Sequence, residues 1–258
     1  MVTNPGTHFV EKTPKLRFDR VDMVFHRPNQ APAQILRSIS FDVGEGEFLC
    51  LLGPSGCGKS TILNIAAGLI RPSAGTVTAG SRVVSGPGRD RGVVFQEYAL
   101  FPWLTVRENV VLGAKPERGK VDDAKVDHFL TVTGMYEHRN KYPRELSGGM
   151  KQRAAIARTL ANDPEIILMD EPFGALDPYT REALQDQLIE LWSASRKTIL
   201  FVTHSVEEAA YLAGTVILLK AHPGELKAVV RNEVAWPRER ASDELIGIER
   251  AIRSVERS

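Results

Sequence analysis

Residues 53–61 have the residue types and the spacing of a loop that binds phosphate. They read Gly-Pro-Ser-Gly-Cys-Gly-Lys-Ser-Thr and follow a near-continuous apolar run, residues 48–52, that is typical of a buried parallel strand. Apolar residues at helical spacing come next, so strand, glycine loop and helix stand in the order that phosphate binding requires. Backbone N–H groups at a helix N-terminus bind phosphate oxygens. The alternative is a glycine-rich structural turn.

Every residue of this phosphate loop, residues 53–61, is a candidate ligand of a nucleotide. Lys59 supplies positive charge for the β- and γ-phosphates, and the Ser60 hydroxyl can ligate Mg²⁺. The expected nucleotide-binding residues of the loop are Gly53, Pro54, Ser55, Gly56, Cys57, Gly58, Lys59, Ser60 and Thr61.

Three apolar segments further along the chain, residues 92–95, 166–169 and 198–203, end in residues able to act on a phosphate. These residues are Gln96, the pair Asp170 and Glu171, and His204. Ligands of open parallel sheets bind beyond the carboxyl ends of the strands, so we expect the four side chains at one edge of one sheet.

Each of these side chains has a chemical role and a plainer alternative. Asp170 can hold Mg²⁺ through its water shell, and Glu171 can orient or deprotonate the water that attacks the γ-phosphate. Gln96 could bridge Mg²⁺ and that water, and His204 stands at the same predicted edge. The alternatives are an ordinary loop glutamine, a solvated strand end and a structural histidine.

Two further places could contact another group. Phe25, at the end of a predicted strand, could stack on an adenine ring, or it is an ordinary core or hairpin residue. Ser147 is predicted to cap a helix that begins with Gly148 and Gly149, and two such glycines indicate a close approach to the backbone. The alternative for this segment is a simple capped turn.

The pattern of elements predicts an α/β fold: a P-loop NTPase core with a mainly parallel sheet, an N-terminal antiparallel β subdomain and an inserted α-helical lobe. We expect a flexible N-terminal arm at residues 1–14, the ATPase domain at residues 15–241 with its helical lobe at about 97–162, and a C-terminal amphipathic helix at residues 242–258. Asp177 is predicted to cap the helix that starts with Pro178.

The composition excludes several classes of protein. The 33 basic and 32 acidic residues give a net charge of +1 without a basic cluster, so no nucleic-acid partner is expected. The two cysteines, Cys50 and Cys57, are poorly placed for a disulfide and lack the spacing of metal ligands. Residues at the N-terminus lack the order of a signal peptide and no 18 apolar residues run together, so other chains are expected to provide any membrane attachment.

Taken together, the motifs resemble the nucleotide-binding subunits of ATP-binding cassette (ABC) transporters over nearly the whole chain from about residue 16. The phosphate loop is similar to the Walker A motif, and residues 166–170 are similar to the Walker B motif, with Glu171 as its following glutamate. Gln96 matches the Q-loop and His204 matches the switch histidine.

The remaining motifs narrow the resemblance. Residues 146–150 resemble the signature motif, and residues 175–177 resemble the D-loop. Residues 173–177, 203–205 and 223–224 look most like the bacterial importers of the nitrate, sulfonate and taurine class.

The resemblance implies an ATPase that uses ATP and Mg²⁺ in a head-to-tail pair of such subunits, expected to be identical. Each site would take its phosphate loop from one subunit and Ser147, Gly148 and Gly149 from the other, with Asp177 nearby. It also implies an integral membrane permease, a periplasmic or extracellular solute-binding protein that acts indirectly, and a place at the cytoplasmic face of the bacterial inner membrane. Residues 97–103 would contact the permease, or else they are core of the helical lobe.

Two other functions compete with this interpretation. A soluble ABC-type clamp acting on nucleic acid or the ribosome typically carries two cassettes or a long coiled-coil insertion, and the sequence has neither. An unrelated P-loop kinase or GTPase would not be expected to carry both the signature motif and His204.

Overall fold

The computed structural model describes residues 2–3, 13–26, 28, 31–114, 121–174 and 176–257. The chain divides into two compact units, which are described separately. The first unit comprises Met1–Gly88 and Thr198–Ser258, and the second comprises Arg89–Lys197. The predicted α/β class, with an antiparallel β subdomain and a group of helices in the middle of the chain, is confirmed.

Two sheets form the first unit. The antiparallel sheet has the strand order β3-β2-β5-β6, and its strands are β2 (Leu16–Phe25), β3 (Ala33–Val43), β5 (Ala74–Ala79) and β6 (Arg82–Val83). The second sheet places strands in the order β1-β11-β10-β4-β9, and these are β1 (Val2–Thr3), β4 (Phe48–Leu52), β9 (Thr198–Thr203), β10 (Thr215–Lys220) and β11 (Glu225–Arg231). In it, β4 runs parallel to β9 and β10, while β11 is antiparallel to β10.

The described helices of the first unit are α1 (Lys59–Ala67), α6 (Val206–Leu212) and α7 (Asp243–Arg257). The first two follow the parallel strands β4 and β9, and α7 lies near the C-terminus. Every residue of β4 and of β9 is buried, as expected for parallel strands covered on both faces. Leu245 and Ile252 of α7 are also buried, in agreement with its predicted apolar face.

Two features of this unit differ from the sequence-based expectation. Val2 and Thr3 pair with Val230 and Val229 of β11, whereas we expected residues 1–14 to form an unpaired arm; residues 1 and 4–12 lie outside the described residues. The strand β11 itself was not predicted, although an apolar run at residues 228–230 follows a Pro-Gly turn.

The second unit combines a parallel strand pair with helices. The strands are β7 (Arg91–Val94) and β8 (Ile166–Asp170), and Val94 lies opposite Met169. The helices are α2 (Val106–Gly113), α3 (Asp123–Val132), α4 (Gly148–Ala161) and α5 (Pro178–Ser195), with short 3-10 helices at Tyr136–His138 and Pro143–Glu145. The core shared by α2, α3 and α4 includes Val106, Val110, Val126, Leu130 and Ala157.

Helix boundaries in this unit follow capping rules that are visible in the sequence. Thr105 and Glu108 form a capping box at the start of α2. Ser147 caps α4 and Asp177 caps α5, with Pro178 at the first helical position.

Among the residues that the structure describes, no helix is long and apolar enough to cross a membrane.

Candidate functional site

The phosphate loop connects the buried strand β4 to α1 in the first unit. Gly56 and Gly58 have φ angles of 80° and 91°, in the left-handed region that side chains disfavour, and Gly58 caps α1. Pro54, Ser55 and Gly56 are exposed, whereas Cys57 is fully buried. The predicted order of strand, loop and helix is therefore confirmed.

Lys59 is held against the loop that precedes it. Only 5% of its surface is exposed, and its Nζ donates hydrogen bonds to the carbonyl oxygens of Gly53 at 2.7 Å and Pro54 at 3.1 Å. No acidic residue lies in the first turn of α1, so the positive end of the helix dipole is not neutralised there. The segment thus concentrates positive charge and backbone donors, which suits an anionic ligand.

His204 is exposed in the turn between β9 and α6, and hydrogen bonds fix the residues on both sides of it. The Thr203 hydroxyl donates to Oε2 of the buried Glu208 at 2.5 Å and accepts from the N–H of Ser205 at 3.1 Å. The Ser205 hydroxyl accepts from the N–H of Glu208 at 3.2 Å, which caps α6. These contacts were not predicted, because the spacing of residues 203–208 indicated only a helix start.

The register of two parallel strands brings His204 and the phosphate loop to one edge. Leu52, the last residue of β4, lies opposite Thr203, the last residue of β9. The next residues along the two strands are Gly53 and His204. Because neighbouring parallel strands end on the same side of a sheet, both segments leave the first unit's sheet at the same level.

The acidic pair and Gln96 have a similar arrangement within the second unit. Asp170 ends β8, and Gln96 follows β7 by two residues, so they lie at the carboxyl edge of this strand pair. Glu171 has a φ of 42°, a conformation that costs a residue with a side chain roughly 1–2 kcal/mol. Such backbone outliers are concentrated at functional sites, which is consistent with the expected role of Glu171.

The start of α4 exposes part of the predicted signature segment and buries the rest. Ser147 is exposed, and its hydroxyl accepts from the N–H of Met150 at 3.3 Å. Gly149 is buried, and a Cβ built on it would lie 2.7 Å from Cγ2 of Thr180 in α5. A close approach to the glycines was expected, and at Gly149 the approaching group belongs to the same chain.

Asp177 is exposed and serves first as a helix cap. Its Oδ1 accepts the N–H of Thr180 at 3.0 Å, and this backbone hydrogen bond lowers the pKa of the carboxyl group. The carboxylate is therefore charged under ordinary conditions and stands at the beginning of α5. The neighbouring D-loop residue Ala175 lies outside the described residues.

Phe25 ends β2, pairs with Ala33 and keeps 38% of its surface exposed. An interpretation as an ordinary core side chain does not agree with this exposure.

The two cysteines are free and buried, as expected for residues that form no disulfide. Burial, followed by the charge of Glu208, raises the pKa of the Cys50 thiol well above its usual value.

A loop of aromatic residues in the second unit is held by two side chains that the sequence did not indicate. Fully buried Asn109 accepts the N–H of Phe101 at 2.8 Å and donates to the Leu104 and Thr105 carbonyls at 3.1 and 2.9 Å. Arg158 donates to the carbonyl oxygens of Ala99 and Tyr98. These bonds fix a polar backbone and leave its aromatic side chains outside.

Two aromatic side chains of this loop are exposed, and one of them, Phe101, lines a groove. Phe101 and Trp103 are 37% and 68% exposed, and their ring centroids are 5.5 Å apart. An open groove of about 280 Å³ is bordered by Phe101, Leu112, Arg158 and neighbouring residues of β7 and α4. The alternative that residues 97–103 are simply core of the helical lobe does not agree with the exposure of Trp103.

We predict that Gly149→Ala destabilises the protein and that Thr180→Ser relieves the effect. The added methyl group would meet Cγ2 of Thr180, and such overpacking costs about 1–3 kcal/mol, against which alanine's better helix propensity returns up to about 1 kcal/mol. Serine lacks Cγ2, so the double variant should match or exceed the wild type in chemical denaturation. Gly247→Ala, where an added Cβ meets nothing within 4 Å, is the control. A double variant no more stable than Gly149→Ala alone would contradict the packing argument.

Comparisons with known proteins agree with these observations. A family model described as ABC transporter matches residues 36–174. A taurine import ATP-binding protein, TauB, of Jannaschia sp. is 48% identical over 213 residues, covering 82% of this chain and 80% of that protein. An uncharacterized ABC transporter ATP-binding protein of Methanocaldococcus jannaschii is 46% identical over 245 residues, covering 93% and 91% of the two chains.

Solved structures give the same result. A dimeric bacterial ABC transporter cassette superimposes with a TM-score of 0.77 at 32% identity, over 85% of this chain and 100% of that one. A dimeric cassette in a post-hydrolysis state, bound to ADP and Pi, gives a TM-score of 0.76 at 32% identity with the same coverage. The family model covers more than half of the chain, and the matched residues include the phosphate loop. The chain therefore belongs to the ABC transporter family, as an ATP-binding cassette that hydrolyses ATP.

Proposed function

We propose that this chain drives an ABC import system by coupling ATP binding and hydrolysis at a dimer interface to transport of a small solute. The observation that carries the proposal is the register of β4 and β9. It places the first residue of the phosphate loop and His204 at the same level of one sheet edge. The likeness to proteins named for taurine import supports a solute of the nitrate, sulfonate and taurine type.

In this proposal the first unit binds the nucleotide. The N–H groups of the phosphate loop and the start of α1 bind the phosphates, and Lys59 exchanges its hydrogen bonds with Gly53 and Pro54 for the β- and γ-phosphate oxygens. Phe25 stacks on the adenine, for which its exposed ring is available.

The donor set fits Mg²⁺. Ser60, Gln96 and Asp170 offer hydroxyl, amide and carboxylate oxygens, which are hard ligands, and Mg²⁺ commonly takes only one or two protein ligands together with substrate phosphates and water. When bound, the ion neutralises charge on the phosphates.

A water molecule attacks the γ-phosphate in the proposed reaction. Glu171 accepts a proton from the attacking water while the water oxygen forms a bond to the γ-phosphorus. The bond from that phosphorus to the bridging oxygen breaks, and ADP leaves with the electron pair. Gln96 orients the water, and His204 donates a hydrogen bond to the γ-phosphate as its charge is redistributed.

A second copy of the chain completes the site in this proposal. Its Ser147, Gly148 and Gly149 present the positive end of α4 to the γ-phosphate, and Asp177 lies at the same interface. Ser147 is exposed and Gly148 is partly exposed, so both can reach a partner, while Gly149 contributes its backbone N–H. The dimeric cassette bound to ADP and Pi supports this arrangement.

The groove beside the aromatic loop is the proposed contact with the permease. Exposed aromatic side chains on a backbone held by Asn109 and Arg158 form a rigid apolar surface, which is typical of interface hot spots. The permease would hold the subunit at the cytoplasmic face of the bacterial inner membrane, and a periplasmic or extracellular binding protein would deliver the solute.

We expect Glu171→Gln to lower the rate of ATP hydrolysis by about 10²- to 10⁴-fold without weakening ATP binding, because the amide cannot accept the proton of the attacking water. The unhydrolysed γ-phosphate should then hold two copies together. Phosphate release, ATP titration and size-exclusion chromatography with ATP test these points. Glu190→Gln, at an exposed position of α5, is the matched control. A Glu171→Gln protein that hydrolyses ATP at the wild-type rate would exclude the proposed base.

We expect Trp103→Ala to lower affinity for the permease by about 2 kcal/mol or more, roughly 30-fold, because large aromatic anchors dominate such interfaces. ATP hydrolysis by the isolated subunit should be unchanged. Co-purification with the membrane protein encoded beside this chain, and solute-stimulated ATP hydrolysis in vesicles, measure the effect. Val83→Ala, another exposed apolar side chain, serves as control. Failure of the wild type to co-purify with any membrane protein would favour a soluble ABC clamp.

A further inference from the structure

The turn between β10 and β11 packs against the phosphate loop. β10 ends at Lys220 and β11 begins at Glu225, and the turn between them contains His222, Pro223 and the buried Gly224. The function proposed above uses none of these residues. The sequence nevertheless marks the turn by its Pro-Gly pair.

Backbone hydrogen bonds anchor this turn to the antiparallel sheet. The N–H of Gly224 donates to the carbonyl oxygen of Ile35 at 2.8 Å, and the N–H of Arg37 donates to the carbonyl oxygen of Gly224 at 2.9 Å. Ion pairs of Glu225 with Arg37 at 3.2 Å and with Lys220 at 3.8 Å lie beside these bonds. Gly224 is therefore held by β3 and is not a free loop tip.

The anchored turn leaves no space beside the phosphate loop. A Cβ on Gly224 would lie 2.2 Å from the carbonyl oxygen of Cys57 and 3.1 Å from Cδ2 of Leu36. The same Cδ2 atom would lie 2.4 Å from a Cβ on Gly58. The Leu36 side chain thus occupies the space between Gly58 and Gly224.

The strand that leads into the turn touches the other end of the phosphate loop. A Cβ on Gly53 would lie 3.0 Å from the carbonyl oxygen of Leu219. The loop is therefore packed against the β10–β11 hairpin at both Gly53 and Cys57, and against β3 at Gly58. These contacts all lie within the first unit.

The contact at Cys57 bears on a phosphate-binding donor. In a planar trans peptide the C=O of one residue and the N–H of the next point in opposite directions. Gly224 packs against the C=O of Cys57, so it fixes the orientation of the peptide whose other side carries the N–H of Gly58. Rotation of this peptide would turn that N–H away from its present direction, and Gly58, whose φ would change, offers little steric resistance.

We infer that the Pro223–Gly224 turn is a positioning element of the nucleotide site, which holds the Cys57–Gly58 peptide in the orientation that phosphate binding needs. The inference rests on the proposed binding of phosphate by residues 53–61. Pro223 restricts the turn and Gly224 permits the contact. Neither residue touches the nucleotide.

Gly224→Ala tests the inference. The added methyl group must displace the Cys57 carbonyl, so we expect the dissociation constants of ATP and ADP to rise at least about tenfold, which is about 1.4 kcal/mol. Gly75→Ala is the matched control, because its Cβ would also lie 2.2 Å from a backbone carbonyl oxygen. That oxygen belongs to Arg20, in the neighbouring strand β2 of the antiparallel sheet. The control should lose stability in denaturation but keep its nucleotide affinity. Equal ATP affinity in Gly224→Ala and the wild type would overturn the inference.

Pro223→Gly provides a test that adds no atoms, and it decides the question if Gly224→Ala does not fold. We expect it to weaken ATP binding about threefold or more, about 0.65 kcal/mol, because the turn no longer holds one conformation. Unchanged affinity in this variant would also overturn the inference. Lys59→Ala separates the two claims: if it binds ATP like the wild type, the proposed phosphate site itself is wrong. If Lys59→Ala loses affinity while both turn variants keep it, only the role of the turn is wrong.

Discussion

The parallel pairing of β4 with β9 is the interaction on which the candidate site depends. Both strands are buried throughout, so their side chains have no solvent-facing alternative and the register is firmly specified. With Leu52 opposite Thr203, the first residues beyond the strands are Gly53 and His204. A shift of this register would move one segment along the edge relative to the other, and it would push apolar residues at a strand end out of the core. Burial of β4 and β9 thus fixes where the phosphate loop and the His204 turn begin relative to each other.

Backbone conformations with positive φ lie next to buried strands and are stabilised by tertiary contacts. Gly56 and Gly58 accept positive φ at little steric cost, whereas Glu171 adopts it at a cost of roughly 1–2 kcal/mol. A short loop could relax from such conformations if it were free. Here the phosphate loop is confined by Leu36, Leu219 and Gly224, and Gly174 donates its N–H to the carbonyl of Glu171 at 3.2 Å. Tertiary packing therefore stabilises geometry that local propensity opposes.

Residues that act through local rules could be predicted from the sequence, and residues that act through distant contacts could not. The caps Thr105, Ser147 and Asp177 follow from side-chain type and spacing within four residues, and all three are present. Asn109 looks like any polar helix residue in sequence, yet it binds the backbone of Phe101 from eight positions away. β11 was missed because its first residues do not alternate between buried and exposed positions, although it pairs with the neighbouring strand β10.

Arg238, in the C-terminal part of the chain, binds the end of α6, the helix that follows His204. Arg238 is buried and donates to the carbonyl oxygens of Ala210, Tyr211 and Ala213 at the end of α6, and burial lowers its pKa to about 10. A cation at this position complements both the carbonyl oxygens at the end of the helix and the negative end of the helix dipole. Since Ser205 caps the first turn of α6, the helix is held at both ends. A helix fixed in this way cannot rotate or shift without breaking buried hydrogen bonds, so the segment around residue 238 restrains the turn that carries His204.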